Sequence, residues 1–222
     1  MMVEVVIPAA GSGSRIQSTS VPKQFFEIKG KPLLNWTVES VSASDIVEGI
    51  ILVVPAADVK EICGKYLNSS FGKIRDVVAG GVTRTESVSF GVKAARSEFV
   101  VIHDAARPYV TPRLISDVVN SAVIHGASTA AIPVVDTLKA KQGEFVGAHI
   151  DRDMTLAIQT PQVFKREFLL KAYEELDIRN RNWTDEASLM MELGRKVAWV
   201  LGSRVNMKVT TEEDLDIARK LL

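Results

Sequence analysis

The run Val3-Glu4-Val5-Val6-Ile7 leads directly into Pro8-Ala9-Ala10-Gly11-Ser12-Gly13-Ser14-Arg15. Residues this small let backbone N–H groups close on phosphate oxygens. Arg15 follows the second glycine. Lys23 stands past a Ser/Thr-rich stretch, in Val21-Pro22-Lys23-Gln24-Phe25. Two cations bracketing one glycine loop suit a triphosphate, because transfer builds charge on the α-phosphate and on the departing pyrophosphate. The familiar phosphate loops do not match in detail. A dinucleotide fingerprint needs a glycine at position 16, which is Ile16, and no Gly-Lys-Ser/Thr follows as a P-loop requires. A tight strand-to-helix turn carrying surface cations would account for the same residues.

Two further stretches carry chemistry. Gly80-Gly81-Val82-Thr83-Arg84-Thr85-Glu86-Ser87-Val88 sets two glycines before a helix start, which gives a second backbone-rich loop or a plain helix cap. Phe99-Val100-Val101-Ile102 ends in His103-Asp104-Ala105-Ala106-Arg107-Pro108. An aspartate at the end of a buried strand can hold Mg²⁺ or a ribose hydroxyl. An arginine three residues on can pair with phosphate or lock that aspartate, and an ion pair that only shapes the turn is the plainer alternative. His103 reads as a hydrogen-bonded core histidine.

These loops need a scaffold. The apolar runs at 3–7, 50–54, 99–102 and 129–132 are short and rich in β-branched residues, as strands buried on both faces are. Helical spacing occupies about 32–42, 57–67, 84–96 and 112–125, the last with Thr111 as cap and Pro112 in its first turn. The alternation predicts an α/β fold, a mostly parallel Rossmann-like sheet flanked by helices, with ligands at its carboxyl edge. Residues 134–150 instead read as two strand-like pieces around a turn at Gln142-Gly143, a β-arm projecting from a single domain that spans 1–222. Helices are expected at about 165–176 and 185–194, strands near 197–201 and 205–209, and a final helix over about 211–221 capped by Thr210 or Thr211.

Bulk composition narrows the functions. Lysine plus arginine equals aspartate plus glutamate at 27 each, which argues against bulk binding of nucleic acid or an anionic membrane surface. The single cysteine, Cys63, excludes an intrachain disulfide and reads as a packing residue. No apolar run approaches the ~20 residues of a membrane helix, and Glu4 interrupts any leader-like start, so a cytoplasmic location is expected.

The glycine loop resembles the N-terminal signature of the sugar-phosphate nucleotidyltransferases, and Val21-Pro22-Lys23-Gln24-Phe25 narrows the resemblance to their cytidylyltransferase branch. The resemblance runs from residue 3 to about 218. It also takes in the His103–Pro108 stretch, Asp136-Thr137, Asp151-Arg152, Gln159-Thr160-Pro161-Gln162, Thr184-Asp185-Glu186-Ala187-Ser188 and Asn206-Met207-Lys208-Val209-Thr210.

It implies a CTP site lined by Ala9, Ala10, Gly11, Gly13, Gly81, Ser87, Asp104 and Ala105, with Arg84 beside them and Mg²⁺ at Asp104. Arg15 and Lys23 would stabilise the pentacoordinate transition state. Arg107 would orient the site, and Arg152 and Lys208 would hold the phosphate of the acceptor, methylerythritol phosphate, assisted by Thr137 and Thr184. The attacking phosphate is already an anion, so His103, His125 and His149 have no assigned part. The resemblance further implies a homodimer joined through the 134–150 arm, with Arg152 reaching the neighbour's acceptor pocket. Ser14 departs from the arginine that some members carry. The chain ends at Leu222, so a fused cyclodiphosphate synthase domain is not expected. Two alternatives stay open: a ribitol-5-phosphate cytidylyltransferase and a non-catalytic nucleotide sensor. Pro8-Ala9-Ala10-Gly11 and Thr184-Asp185-Glu186-Ala187-Ser188 favour methylerythritol phosphate, and both transition-state cations weigh against a sensor.

Overall fold

The computed structural model describes residues 1–11, 23–67, 72–181 and 183–222, with Lys23 described through its backbone alone. Gly13 and Arg15 therefore lie outside the described residues. In chain order the elements are β1 (Val3–Pro8), β2 (Glu27–Ile28), β3 (Lys31–Pro32), α1 (Leu33–Ser42), β4 (Val47–Val54), α2 (Val59–Tyr66), β5 (Ile74–Ala79), α3 (Arg84–Ala94) and β6 (Phe99–Ile102). Then follow α4 (Pro112–His125), β7 (Ala127–Pro133), β8 (Leu138–Gln142), β9 (Phe145–Ile150), β10 (Leu156–Lys165), α5 (Arg166–Glu175), α6 (Glu186–Glu192), β11 (Ala198–Leu201) and α7 (Glu212–Leu221).

Seven strands form the main sheet in the order β11-β7-β10-β6-β1-β4-β5. All pairs are parallel except those of β10, which runs antiparallel between β6 and β7. The mostly parallel sheet expected from the sequence is present. The strand period of two directs Val3, Val5 and Ile7 of β1 to one face and Val6 to the other. The first face packs on α1, α2 and α4, with Cys63 in partial contact. The second packs on α3, α5 and α6. A smaller cluster joins Ile28, Leu33, Ala106, Val209, Leu215 and Ala218, so it ties β2 and α7 to the segments that follow β6 and precede α7.

Buried Glu4 interrupts the apolar β1 for a structural reason. Its carboxylate pairs with Arg75 at 2.5 Å and accepts from the Ser97 N–H at 2.8 Å, just past the end of α3. The helix signals hold locally. Thr111 caps α4 with Pro112 at its first position, Thr83 caps α3, and Thr211 forms a reciprocal capping box with Asp214 at the start of α7.

The arm is a separate two-stranded sheet of β8 and β9. Its turn lies at Gly143-Glu144, one residue beyond the expected position. Gly143 adopts φ 60°, and the only non-glycine residue with positive φ among the described residues is Lys29, which is the pattern of a type II′ hairpin. One expectation fails: residues 205–209 are not a strand. Val205 and Asn206 end a turn that begins at Ser203, whose carbonyl accepts from the Asn206 N–H at 3.1 Å, and 207–209 carry no regular structure. β5 and β10 are strands that the sequence pattern left unassigned.

Candidate active site

The carboxyl ends of β1, β5 and β6 deliver three loops to one edge of the sheet. After β1, the Ala9 N–H donates to Val53 O at 2.7 Å. The buried Gln24 amide donates to Ala9 O at 2.6 Å and Gly11 O at 3.0 Å. This amide fastens the turn Lys23–Phe25 to the glycine loop, and so brings the Lys23 backbone beside Ala9, Ala10 and Gly11. Gly80 is required where the loops of β1 and β5 meet, because a Cβ there would strike the Ala10 side chain. Ser87 is buried and its hydroxyl is spent within the loop. It donates to Thr83 O at 2.9 Å and accepts from the Gly81 N–H at 3.0 Å. The serine fixes the backbone of Gly81 within the loop.

Asp104, just past β6, is the centre of charge. Lys208 Nζ lies 2.8 Å from its Oδ2, Arg107 Nε 3.6 Å from the same oxygen, and Arg84 Nη2 3.3 Å from Oδ1. Burial opposes ionisation of Asp104, yet Arg84, Lys208 and Arg107 outweigh it and hold its carboxyl well below the usual range. Burial likewise works against the Arg84 guanidinium, but Glu186 and Asp104 raise its pKa above the ordinary value. Burial pushes Arg107 down. The four groups line a cavity of about 300 Å³ with Thr184 at its exposed rim and Gln159 and Thr160 on β10.

Each member is held from behind. Arg107 Nη1 donates to Asn206 O at 2.7 Å, and Asn206 Nδ2 donates to Thr160 O at 2.8 Å. The Val209 N–H donates to Ala106 O at 2.9 Å, which seats Lys208 opposite Asp104. Buried Ala105 accepts from Thr37 Oγ1 through its carbonyl at 2.8 Å. His103 Nε2 faces Arg107 O at 3.0 Å and must donate, since a carbonyl only accepts. Its Nδ1 then accepts from Thr160 Oγ1 at 3.1 Å, and that oxygen accepts from the Asp104 N–H at 3.0 Å. Burial pushes the His103 imidazole down to about 4.

The structure thus gathers Asp104, Arg107, Thr184 and Lys208 into one cavity and sets Ala9, Ala10, Gly11, Gly81 and Ser87 on the same edge. Arg152 and Thr137 do not join them. Arg152 Nη1 donates to Val135 O at 2.9 Å and Thr137 is exposed, both at the foot of the arm. Sequence reasoning assigned no role to Gln24 or Glu186. The only signal for either was its place inside a quoted motif. Glu186 is fully buried, and Arg84 Nη1 meets both its oxygens at 2.9 and 3.0 Å. Among the described residues, no group of three or more His, Cys, Asp or Glu converges as a metal site. A divalent ion here would have Asp104 as its carboxylate and would need further oxygens from a substrate.

Comparison with known proteins identifies the family and the fold. The family IspD, 2-C-methyl-D-erythritol 4-phosphate cytidylyltransferase, matches residues 3–222. The chain is 38% identical to the enzyme of that name from Syntrophus aciditrophicus (strain SB), over 99% of this chain and 95% of that protein. It is 39% identical to the one from Halalkalibacterium halodurans, over 100% of this chain and 97% of that protein. Its fold matches the crystal structure of 4-diphosphocytidyl-2C-methyl-D-erythritol synthase from Anaerococcus prevotii DSM 20548 with a TM-score of 0.83 and 32% identity, covering 99% of this chain and 97% of that one.

Proposed function

The chain belongs to the 2-C-methyl-D-erythritol 4-phosphate cytidylyltransferase family, and from that premise we propose how its residues divide the work. The enzyme is a nucleotidyltransferase. It transfers a cytidylyl group from CTP to methylerythritol phosphate, releases pyrophosphate, and makes 4-diphosphocytidyl-2-C-methylerythritol for isoprenoid biosynthesis. The family match also decides against ribitol phosphate as acceptor and against a non-catalytic sensor.

The acceptor phosphate attacks the α-phosphorus of CTP in line. The P–O bond to the β-phosphate breaks, and its electrons leave with pyrophosphate. The nucleophile is an anion, so no side chain need take a proton, and catalysis is a matter of charge and placement. One observation carries the assignment of residues: Asp104 ringed by Arg84, Arg107 and Lys208 in a cavity at the carboxyl edge. Three guanidinium and ammonium groups against the two carboxylates of Asp104 and Glu186 leave one positive charge in excess for phosphate oxygens. Lys208 and Arg107 position phosphate there, with Thr184 at the rim. Backbone groups of Ala9–Gly11 and Gly81 hold the nucleotide, with Gly13 completing the loop, and Arg15 and Lys23 bear the transition-state charge.

Asp104 would hold Mg²⁺ together with the phosphates of CTP. One carboxylate plus substrate phosphates is a usual environment for this ion. When bound, it neutralises charge on the triphosphate. CTP and its acceptor are highly charged and do not cross membranes freely, which supports a cytoplasmic location. Among the described residues, no helix is long and apolar enough to cross a membrane.

Arg152 acts in trans on this reading. It stands at the foot of the arm, and the arm exposes Phe145 at 78% and Val146 at 77%, apolar area suited to a second copy. Mixed chains test this. Lys208→Ala and Arg152→Ala homodimers should each be nearly inactive. After subunit exchange, pyrophosphate release should recover to about a quarter of wild type, since half of randomly paired dimers are mixed and carry one intact site of two. Verified exchange with no recovery would assign Arg152 to its own chain's site.

A further inference from the structure

We propose that Glu186 is a positioning residue for the transfer, acting through Arg84 to lock the acceptor side of the site to the nucleotide side. Arg84 is the first residue of α3, directly after the Gly80–Thr83 loop, and Glu186 is the first residue of α6, directly after Thr184 and Asp185. The two helices are far apart in sequence and carry different halves of the site. Their amino ends are joined by one fork: Arg84 Nη1 on both Glu186 oxygens at 2.9 and 3.0 Å. The same guanidinium reaches forward through Nη2 to Asp104 at 3.3 Å. Glu186 itself has no exposed surface and is absent from the cavity lining, so it meets no substrate. Its effect passes through Arg84, which does line the cavity.

The geometry of the fork matters as much as its charge. With both carboxylates in place, Arg84 is divided between them and cannot close bidentately over Asp104. A neutral amide at 186 would hold the guanidinium by fewer and weaker bonds. Arg84 would then swing toward Asp104, and the end of α6 that carries Thr184 would lose its tie to the nucleotide loop. Each substrate would still find its own contacts. The in-line alignment of one phosphate on the other would suffer, and misplacement by about 1 Å can cost on the order of a hundredfold in rate.

This inference rests on reading the cavity as the seat of the reacting phosphates. That reading has its own control, because Lys208→Ala should weaken acceptor use whatever Glu186 does. The test is steady-state pyrophosphate release by Glu186→Gln, Arg84→Gln and the double variant, with CTP affinity measured by calorimetry and folding followed by thermal melting. Positioning through Arg84 predicts a kcat at least tenfold down in Glu186→Gln, both KM values and the CTP affinity within about threefold of wild type, and a double variant no slower than Arg84→Gln alone. Glu186→Asp keeps the charge but retracts the fork by one methylene. It should also lose kcat, and it serves where the amide variant is unstable. A folded Glu186→Gln or Glu186→Asp enzyme with wild-type kcat would overturn the proposal. So would losses from Arg84→Gln and Glu186→Gln that multiply in the double variant.

Discussion

Asp104 stays ionised because three cations oppose the cost of its burial, and Lys208 is the nearest of them. Removing Lys208 leaves Arg84 and Arg107 to hold Asp104, so Lys208→Ala should fold while losing charge where phosphate binds. Loss of one such contact typically costs about 10²–10³ in kcat. Pyrophosphate release at saturating CTP checks this, and a variant within tenfold of wild type would remove Lys208 from the machinery. His103 gives a prediction in pH. Its imidazole stays neutral in the fold down to about pH 4. In the unfolded chain it gains a proton near the ordinary value of about 6.5. The unfolded state therefore binds the extra proton across that window, and stability falls as the pH drops from about 6.5 toward 4, by about 3 kcal/mol in all. Denaturant midpoints at pH 7, 6 and 5 should fall less steeply for His103→Asn than for wild type. Equal slopes would contradict it. At this scale much of the site was legible. Asp104, Arg107 and Lys208 are charged residues at the ends of apolar or patterned segments, where a charge asks for a reason. Glu186 was not legible, because a glutamate in the first turn of a helix is ordinary in sequence and only its complete burial against Arg84 distinguishes it.

The loops of β1 and β5 approach so closely that Gly80 has no room for a methyl group. Gly80→Ala should therefore push Ala10 aside and disturb both loops proposed to hold the nucleotide while the core beneath stays packed. A KM for CTP raised about tenfold, equivalent to ~1.4 kcal/mol, with kcat less affected, is the expected kinetic signature. An unchanged KM would mean that the loops yield without cost to nucleotide binding. The helices and the buried parallel strands could be read from periodicity and caps, since Thr83, Thr111 and Thr211 all cap where they should. β5 and β10 could not. β5 mixes Arg75 and Asp76 into an edge strand, and β10 carries Gln159, Thr160, Pro161 and Gln162 in its middle. Pro161 offers no N–H to a ladder, and the pairing of β10 with β7 shifts register around it. Those polar residues face the cavity and its supports, so function erased the strand signal. The reverse error at 205–209 has the same root. Val205 and Val209 look strand-like, but the backbone there turns to present Lys208 and to lend Asn206 O to Arg107.

The chain has no net charge at neutral pH, so two copies would meet without net repulsion, and the proposed pairing through the arm rests on apolar area. The arm supplies that area, and a lone two-stranded ribbon is marginal in water. Phe145→Asp places a charge on its most exposed aromatic. It should shift sedimentation at micromolar protein from dimer toward monomer and lower activity with it, while far-UV circular dichroism is unchanged. A fully active monomer would refute a shared site. The arm also has a particular place in the path of the chain. It grows from the connection between β7 and β10, neighbours whose Pro133 and Leu156 pair at its base. Both feet are thus anchored in the sheet, and the tip at Gly143 bears no part of the core. A cut there would divide the molecule into a piece holding β1, β4, β5, β6 and β7 and a piece holding β10 and β11. Yet β10 lies between β6 and β7, so each piece would remain wedged in the other. Lengthening the tip is cheap, since doubling a loop costs only ~0.6 kcal/mol. The hairpin is the seam at which this protein can be opened or extended, and the cavity around Asp104 would register the change only through a second copy seated on the arm, as proposed above.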